Sequence, residues 1–206
     1  MTRALNRTCR RADLPVKYSE GFSPHPRLAL SPALPVGVGS RAEYADLQLE
    51  REIDTSELRE ALNRVMPKGL EVLGVASMPP GIPALSAAVI YADYLLKIFK
   101  EISPEAVSRA LNELYGLTEP EIKDKKEGDF KVGKSYILNL SAQDRRIELE
   151  YRMPVERRLN QMVADLKEAL GLASEPIVVD RTAQWVLLNG RLVDPLAAGL
   201  EYIGKA

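Results

Sequence analysis

The chain of 206 residues contains one cysteine and one histidine. A single cysteine, Cys9, excludes an internal disulfide. An iron–sulfur cluster needs several thiolates, so this chain alone cannot hold one. A structural zinc site takes four Cys or His ligands, and those are missing as well. No run approaches the roughly 20 apolar residues of a membrane-spanning helix. The arginines near the N-terminus are not followed by the apolar block of a secretory signal. These absences predict a cytoplasmic protein with no membrane contact. They leave a Cys9–His25 nucleophile pair as a formal option, but Cys9 falls in a helical pattern and reads as a small buried hydrophobe.

What is present is ordinary in amount and uneven in distribution. Apolar residues make up 46% and charged residues 28%, as in soluble globular proteins, and the length suits two small domains. The net charge is −1, but residues 1–41 carry seven Lys/Arg against two Asp/Glu, a net of +5, and the rest carry 21 against 27, a net of −6. A local cationic patch of this kind attracts phosphates or an acidic protein surface even on a neutral molecule.

The histidine sits in the most constrained stretch of that segment, Leu14 to Arg27. Pro24 and Pro26 fix φ on either side of His25 and bias Ser23 and His25 toward extended backbone. Gly21 admits a conformation closed to other residues. A stiff loop with a histidine, two aromatics and flanking cations is a place where sites occur. The pattern supports binding better than a named reaction. As a catalyst, His25 would act as general acid or base with Asp46 or Glu43 to orient it; as a structural residue it would simply cap a turn.

Ahead of the loop, residues 3–12 read as a helix ended by Pro15, with Leu5, Thr8 and Ala12 on one face and Cys9 beside them. Arg3, Arg7, Arg10 and Arg11 share another face, either a solvated surface or a phosphate-binding one. After the loop, residues 28–39 read as an irregular strand and 43–50 as an alternating one. Asp54 caps a helix with Glu57 three residues on, followed by the stripe Leu58, Ala61, Leu62, Val65, Met66. Residues 70–76 read as the returning strand, and 78–83 as a linker. A strand is expected over 91–99, then a helix capped by Ser103 with Val107, Ala110, Leu111 and Leu114 inward. A polar strand at 119–126 and a turn at Gly128 come next. Strands at 136–140 and 147–151, a helix over 159–170, and strand runs at 177–179 and 185–188 complete the pattern, with Asn189–Gly190 as a turn. Trp185 reads as core, and Arg181 as a surface partner of Asp180. The fold class is α+β: two ferredoxin-like (split βαβ) units, 1–80 and 81–206, the first lacking its opening strand.

The run from Arg10 to Pro26, with Gly-Phe-Ser-Pro-His-Pro at 21–26, then Leu-Pro-Val-Gly at 34–37 and Glu-Tyr-Ala-Asp at 43–46, resembles a bacterial family of unknown function labelled radical SAM-associated or radical SAM-linked. Its members occur beside, or fused to, a radical S-adenosylmethionine protein with a cobalamin-binding-type domain. The likeness is dense over residues 3–50. Members begin with a further strand before the first helix, where Met1 stands here, and carry a Gly-rich stretch where residues 153–158 stand. The resemblance implies a radical SAM protein as partner, which would carry the iron–sulfur cluster and S-adenosylmethionine, with no cofactor bound by this chain. The implied job is to bind or present a substrate, with RNA modification as the setting. Arg3, Arg7, Arg10, Arg11 and Lys17 would meet phosphates. Tyr18, Ser19, Gly21, Phe22, Pro24, His25, Pro26 and Arg27 would form the substrate surface, with Tyr18 and Phe22 stacking on bases. A protein–protein adaptor using an open sheet edge is the alternative.

Overall fold

In a computed structural model the chain is described over residues 1–78, 84–116, 135–143 and 146–203. The expected linker residues 79–83 and the expected strand and turn at 119–128 lie outside the described residues. The elements in chain order are α1 (Thr2–Arg11), β1 (Leu28–Leu30), β2 (Gly39–Ser40), β3 (Ala45–Leu47), α2 (Thr55–Val65), α3 (Leu85–Ala88), β4 (Val89–Ile98), α4 (Pro104–Tyr115), β5 (Tyr136–Gln143), β6 (Arg146–Pro154), α5 (Leu159–Ala169), β7 (Ile177–Leu188), β8 (Arg191–Val193) and α6 (Pro195–Ile203). The protein is α+β with a mixed sheet. Among the described residues, no helix is long and apolar enough to cross a membrane.

Two compact units share the chain. The first comprises Met1–Ser31, Tyr44–Ala88 and Pro195–Ala206, and the second Pro32–Glu43 and Val89–Asp194. In the first, β1 and β3 pair antiparallel with Leu28 opposite Leu47. Cys9, Val16, Leu58 and Leu62 form its core, with Leu47, Leu49, Met66 and Val75 packed alongside. Burial pushes the Cys9 thiol above its ordinary pKa, which suits an inert packed residue. Asp54 caps α2 by accepting from the N–H groups of Ser56 and Glu57 at 2.9 and 3.1 Å. Residues 70–76 form no strand. Val72 finds its backbone partners in a side chain instead: Asn63 donates to its carbonyl at 2.9 Å and accepts from its N–H at 2.8 Å.

The second unit is built on one sheet in the order β2-β7-β4-β6-β5, with β8 on β7. All pairs are antiparallel except β2 with β7. The two runs expected at 177–179 and 185–188 are one continuous strand, β7. The Asn189–Gly190 turn has φ of 51° and 75°, the two positive values a type I′ hairpin requires, and it delivers β8. Leu96, Ile98, Leu149, Tyr151 and Met153 project from the sheet onto Val107 and Leu111 of α4 and Leu159, Met162 and Leu166 of α5. Ser103 Oγ accepts from the Ala106 N–H at 3.2 Å, and Gly116 closes α4 in the left-handed region at φ 57°. Leu114 does not face inward: it is exposed, because it sits in the last turn, one step past the stripe that meets the sheet.

α4 and α5 are joined by Tyr115, whose hydroxyl donates to Asp165 Oδ2 at 2.7 Å. Burial, reinforced by that carboxylate, raises the Tyr115 pKa, and burial raises that of Tyr151. The folded state therefore keeps protons that the unfolded chain releases above the ordinary tyrosine value of 10.0. Stability from these groups is fully present below that pH and is lost as pH rises beyond it. The melting temperature should fall as the pH rises beyond about 10, and Tyr151→Phe should flatten the fall. Leu111→Ala, at a position with no exposure, should cost about 2–5 kcal/mol in denaturant unfolding.

Candidate functional site

The His25 loop is a hairpin tied at its base by backbone hydrogen bonds. Tyr18 pairs antiparallel with Pro26, and Val16 with Leu49. The Ser19 N–H donates to the His25 carbonyl and the Arg27 N–H to the Lys17 carbonyl, both at 2.8 Å. The Lys17 N–H donates to the Gln48 carbonyl at 2.9 Å, and the Gln48 N–H to the Arg27 carbonyl at 3.1 Å. Three extended segments thus meet at Lys17, Arg27 and Gln48. Ser19 Oγ accepts from the His25 N–H at 3.0 Å and locks the strand that carries the histidine. Gly21 takes φ 123° at the tip, open to glycine and strained for any other residue.

The tip is wet. Phe22 is fully exposed, Tyr18 is 38% exposed, and Lys17, Pro24, His25 and Arg27 are exposed. Among the described residues the His25 imidazole has no hydrogen-bond partner. Both carboxylates considered as its orienting group are engaged elsewhere. Asp46 Oδ2 accepts the Leu85 N–H at 3.0 Å, and Glu43 accepts from Ser40 Oγ at 2.6 Å and from Arg181 Nη1 at 2.9 Å.

α1 presents Arg3, Arg7, Arg10 and Arg11 to solvent while Thr8 and Cys9 are buried. Among the described residues none of the four is ion-paired with a carboxylate. Arg10 and Arg11 lie in the last turn, where the helix dipole favours cations. Arg3 lies in the first turn, where the dipole disfavours it, and Arg3/Arg7 and Arg7/Arg11 are like-charge pairs at i,i+4. Helix stability does not account for this pattern.

Two polar clusters in the second unit escape sequence reading. Arg181 is 2% exposed, not a surface partner of Asp180. Its Nη1 donates to the Pro32 carbonyl at 2.8 Å as well as to Glu43, and its Nη2 to the Ala33 carbonyl at 3.1 Å and Tyr94 Oη at 3.3 Å. Beside it in the sheet, Asp93 accepts a two-pronged pair from Arg152 at 2.6 and 2.7 Å and a third bond from Trp185 Nε1 at 2.8 Å. Trp185 is therefore a polar anchor, with the Arg152 guanidinium 4.6 Å from its ring. A carboxylate and an arginine inside apolar strand runs were the available signals.

The fold is α+β, and its first unit carries a solvent-exposed hairpin flanked by cations. Residues 1–171 match the family described as "Uncharacterized protein conserved in bacteria (DUF2344)", and the chain belongs to that family. Among curated proteins, none matches the chain.

A buried guanidinium stripped of its carboxylate is a large defect. Glu43→Ala should destabilise the protein by about 3 kcal/mol in denaturant unfolding, while Glu43→Gln, which keeps an acceptor, should cost less.

Proposed function

We propose that this protein is an accessory substrate-binding module that works beside a radical SAM enzyme, with a tRNA or ribosomal RNA as the substrate it holds. The observation that carries the reading is the solvent-exposed Phe22 on a hairpin whose base is fixed, flanked by cations that no carboxylate neutralises among the described residues. Arg3, Arg7, Arg10, Arg11 and Lys17 serve the phosphates. Phe22 and Tyr18 stack on unpaired bases, a contact worth roughly 1–3 kcal/mol per base. Ser19, His25 and Arg27 supply hydrogen bonds, and Gly21, Pro24 and Pro26 set the shape. The iron–sulfur cluster and S-adenosylmethionine belong to the partner. The partner assignment rests on the resemblance of residues 3–50.

The reading includes tandem ferredoxin-like units. The succession β4-α4-β5-β6-α5-β7 with strand order β7-β4-β6-β5 supports one in the second unit. For the first unit the support is partial: α1, β1, β3 and α2 follow in the expected order, and the returning strand at 70–76 is absent. An unoriented His25 favours binding over general acid–base catalysis. The exposed Phe22 also fits a second reading, a protein–protein adaptor.

Retardation of bulk tRNA at several salt concentrations tests the proposal. Affinity should fall steeply with salt. Arg7→Glu should weaken binding and reduce the salt slope by about 1. Phe22→Ala should weaken binding about tenfold. RNA binding that ignores salt, or none at all, removes the RNA assignment; co-elution with the neighbouring radical SAM protein without RNA favours the adaptor.

A further inference from the structure

In the second unit a strand leads into the first helix: β4, α4, β5, β6, α5, β7. That leading strand is central, paired antiparallel with β6 on one side and with β7 on the other. In the first unit α1, β1, β3 and α2 follow in the order of α4, β5, β6 and α5. Among the described residues no strand of the first unit stands in the place of β4.

The hydrogen bonds of β3 mark that place. The Ser31 N–H donates to the Tyr44 carbonyl at 3.0 Å, the Gln48 N–H to the Arg27 carbonyl at 3.1 Å and the Glu50 N–H to the Pro15 carbonyl at 2.8 Å. Tyr44, Gln48 and Glu50 therefore turn their backbone groups toward β1 and residues 15–17. The residues between them alternate to the opposite edge, which is formed by the N–H and carbonyl groups of Ala45, Leu47 and Leu49. That edge has no strand partner among the described residues: β3 pairs with β1, and Leu49 with Val16.

The surroundings carry the same mark. Residues 70–76, which follow α2 as β7 follows α5, form no strand. Asn63 holds both backbone groups of Val72 instead, and α6 meets the end of this segment with Leu196 beside Gly74. The core cluster at Cys9 has four buried members, against sixteen in the main cluster of the second unit. Leu47, Leu49, Val72 and Val75 around it are only partly buried. An open edge and a thin core call for one further strand.

We propose, resting on the tandem-unit reading, that the β3 edge takes up an antiparallel strand of about five residues from another polypeptide, with apolar side chains alternating with Lys or Arg. The Leu47 and Leu49 side chains meet the core, so a cross-strand neighbour that faces the same way is apolar. The opposite face of β3 carries Asp46, Gln48 and Glu50. Glu50 is exposed and has no ion-pair partner among the described residues, and Arg27 donates to Gln48 at 3.4 Å rather than to a carboxylate. Cations on the incoming strand answer these carboxylates. A second copy of β3 would bring carboxylates to carboxylates and is the poorer occupant.

The probe is a blocked peptide, acetyl-Lys-Val-Lys-Ile-Lys-Val-Lys-amide, titrated into the full chain and followed by amide hydrogen exchange and chemical shifts. In the free chain the Leu47 and Leu49 amides should exchange quickly and those of Gln48 and Glu50 slowly. The peptide should bind with a Kd of about 1 mM or tighter and protect Leu47 and Leu49. The same peptide with proline at its centre should not bind. Ala45→Pro removes one N–H from the open edge at the first residue of the strand, where proline is tolerated, and should weaken binding about tenfold. Glu50→Lys should weaken it as well. Both variants should keep the parent melting temperature and the parent retardation of tRNA, so this edge and the RNA surface fail separately. Slow Leu47 and Leu49 amides in the free chain, whether in a monomer or in a dimer of this chain, would overturn the proposal. So would absence of saturable binding, equal binding of the proline peptide, or parent-like affinity in both variants.

Discussion

A charge in a protein interior must be answered where it stands, and the second unit is arranged around one such answer. Arg181 enters the sheet on β7 with almost no access to solvent. Four of its contacts draw in residues from elsewhere in the chain: the carbonyls of Pro32 and Ala33, the Glu43 carboxylate and the Tyr94 hydroxyl. The segment from 32 to 43 is short of regular structure; its two-residue strand pairs with β7 only through Gly39 and Ser40. A Cβ at Gly39 would meet the tip of the Asp180 side chain, which would have to swing aside. The guanidinium is thus the main polar tie that holds this excursion to the sheet. Gln184 adds a second by donating to the Ala42 carbonyl.

The hairpin on the first unit solves a different problem. Under the proposed reading it has to be exposed, yet each degree of freedom it retains would have to be frozen when a ligand arrives. Here the freezing is done in advance by main-chain bonds at Lys17, Arg27 and Gln48 and by two prolines. The side chains at the tip remain in water while the backbone below them is fixed. Exposed aromatic surface on such a support loses little entropy on contact.

Much of this architecture is legible in the sequence, and the exceptions have physical causes. α1, α2, α4 and α5 follow from caps and apolar stripes, because those signals are local. β7 reads as two runs because Asp180-Arg181-Thr182 interrupts its apolar pattern; the interruption is a buried polar site, and burial of charge cannot be read without knowing its partners. Residues 70–76 alternate like a strand, but Val72 and Val75 only pack against the first core, and Asn63 occupies the backbone groups that a neighbouring strand would have used. β8 is a three-residue continuation past a turn with no periodicity to mark it; α6 opens on Asp194-Pro195, a helix-start signal that went unused. The hairpin was legible as a constrained histidine loop; its degree of exposure was not.

The way the two units divide the chain bears on how the protein is made. The first unit takes residues 1–31 and 44–88 but also the helix α6 at 195–203, where Leu196 lies beside Gly74 and Met78 against Gly199. Domains ordinarily mature from the N-terminus as they leave the ribosome. This one cannot: its opening two segments must wait through the translation of the entire second unit before their last helix emerges. Its helix α6 leaves the ribosome only after residues 89–194 have been translated, so the first unit stays incomplete while the second emerges.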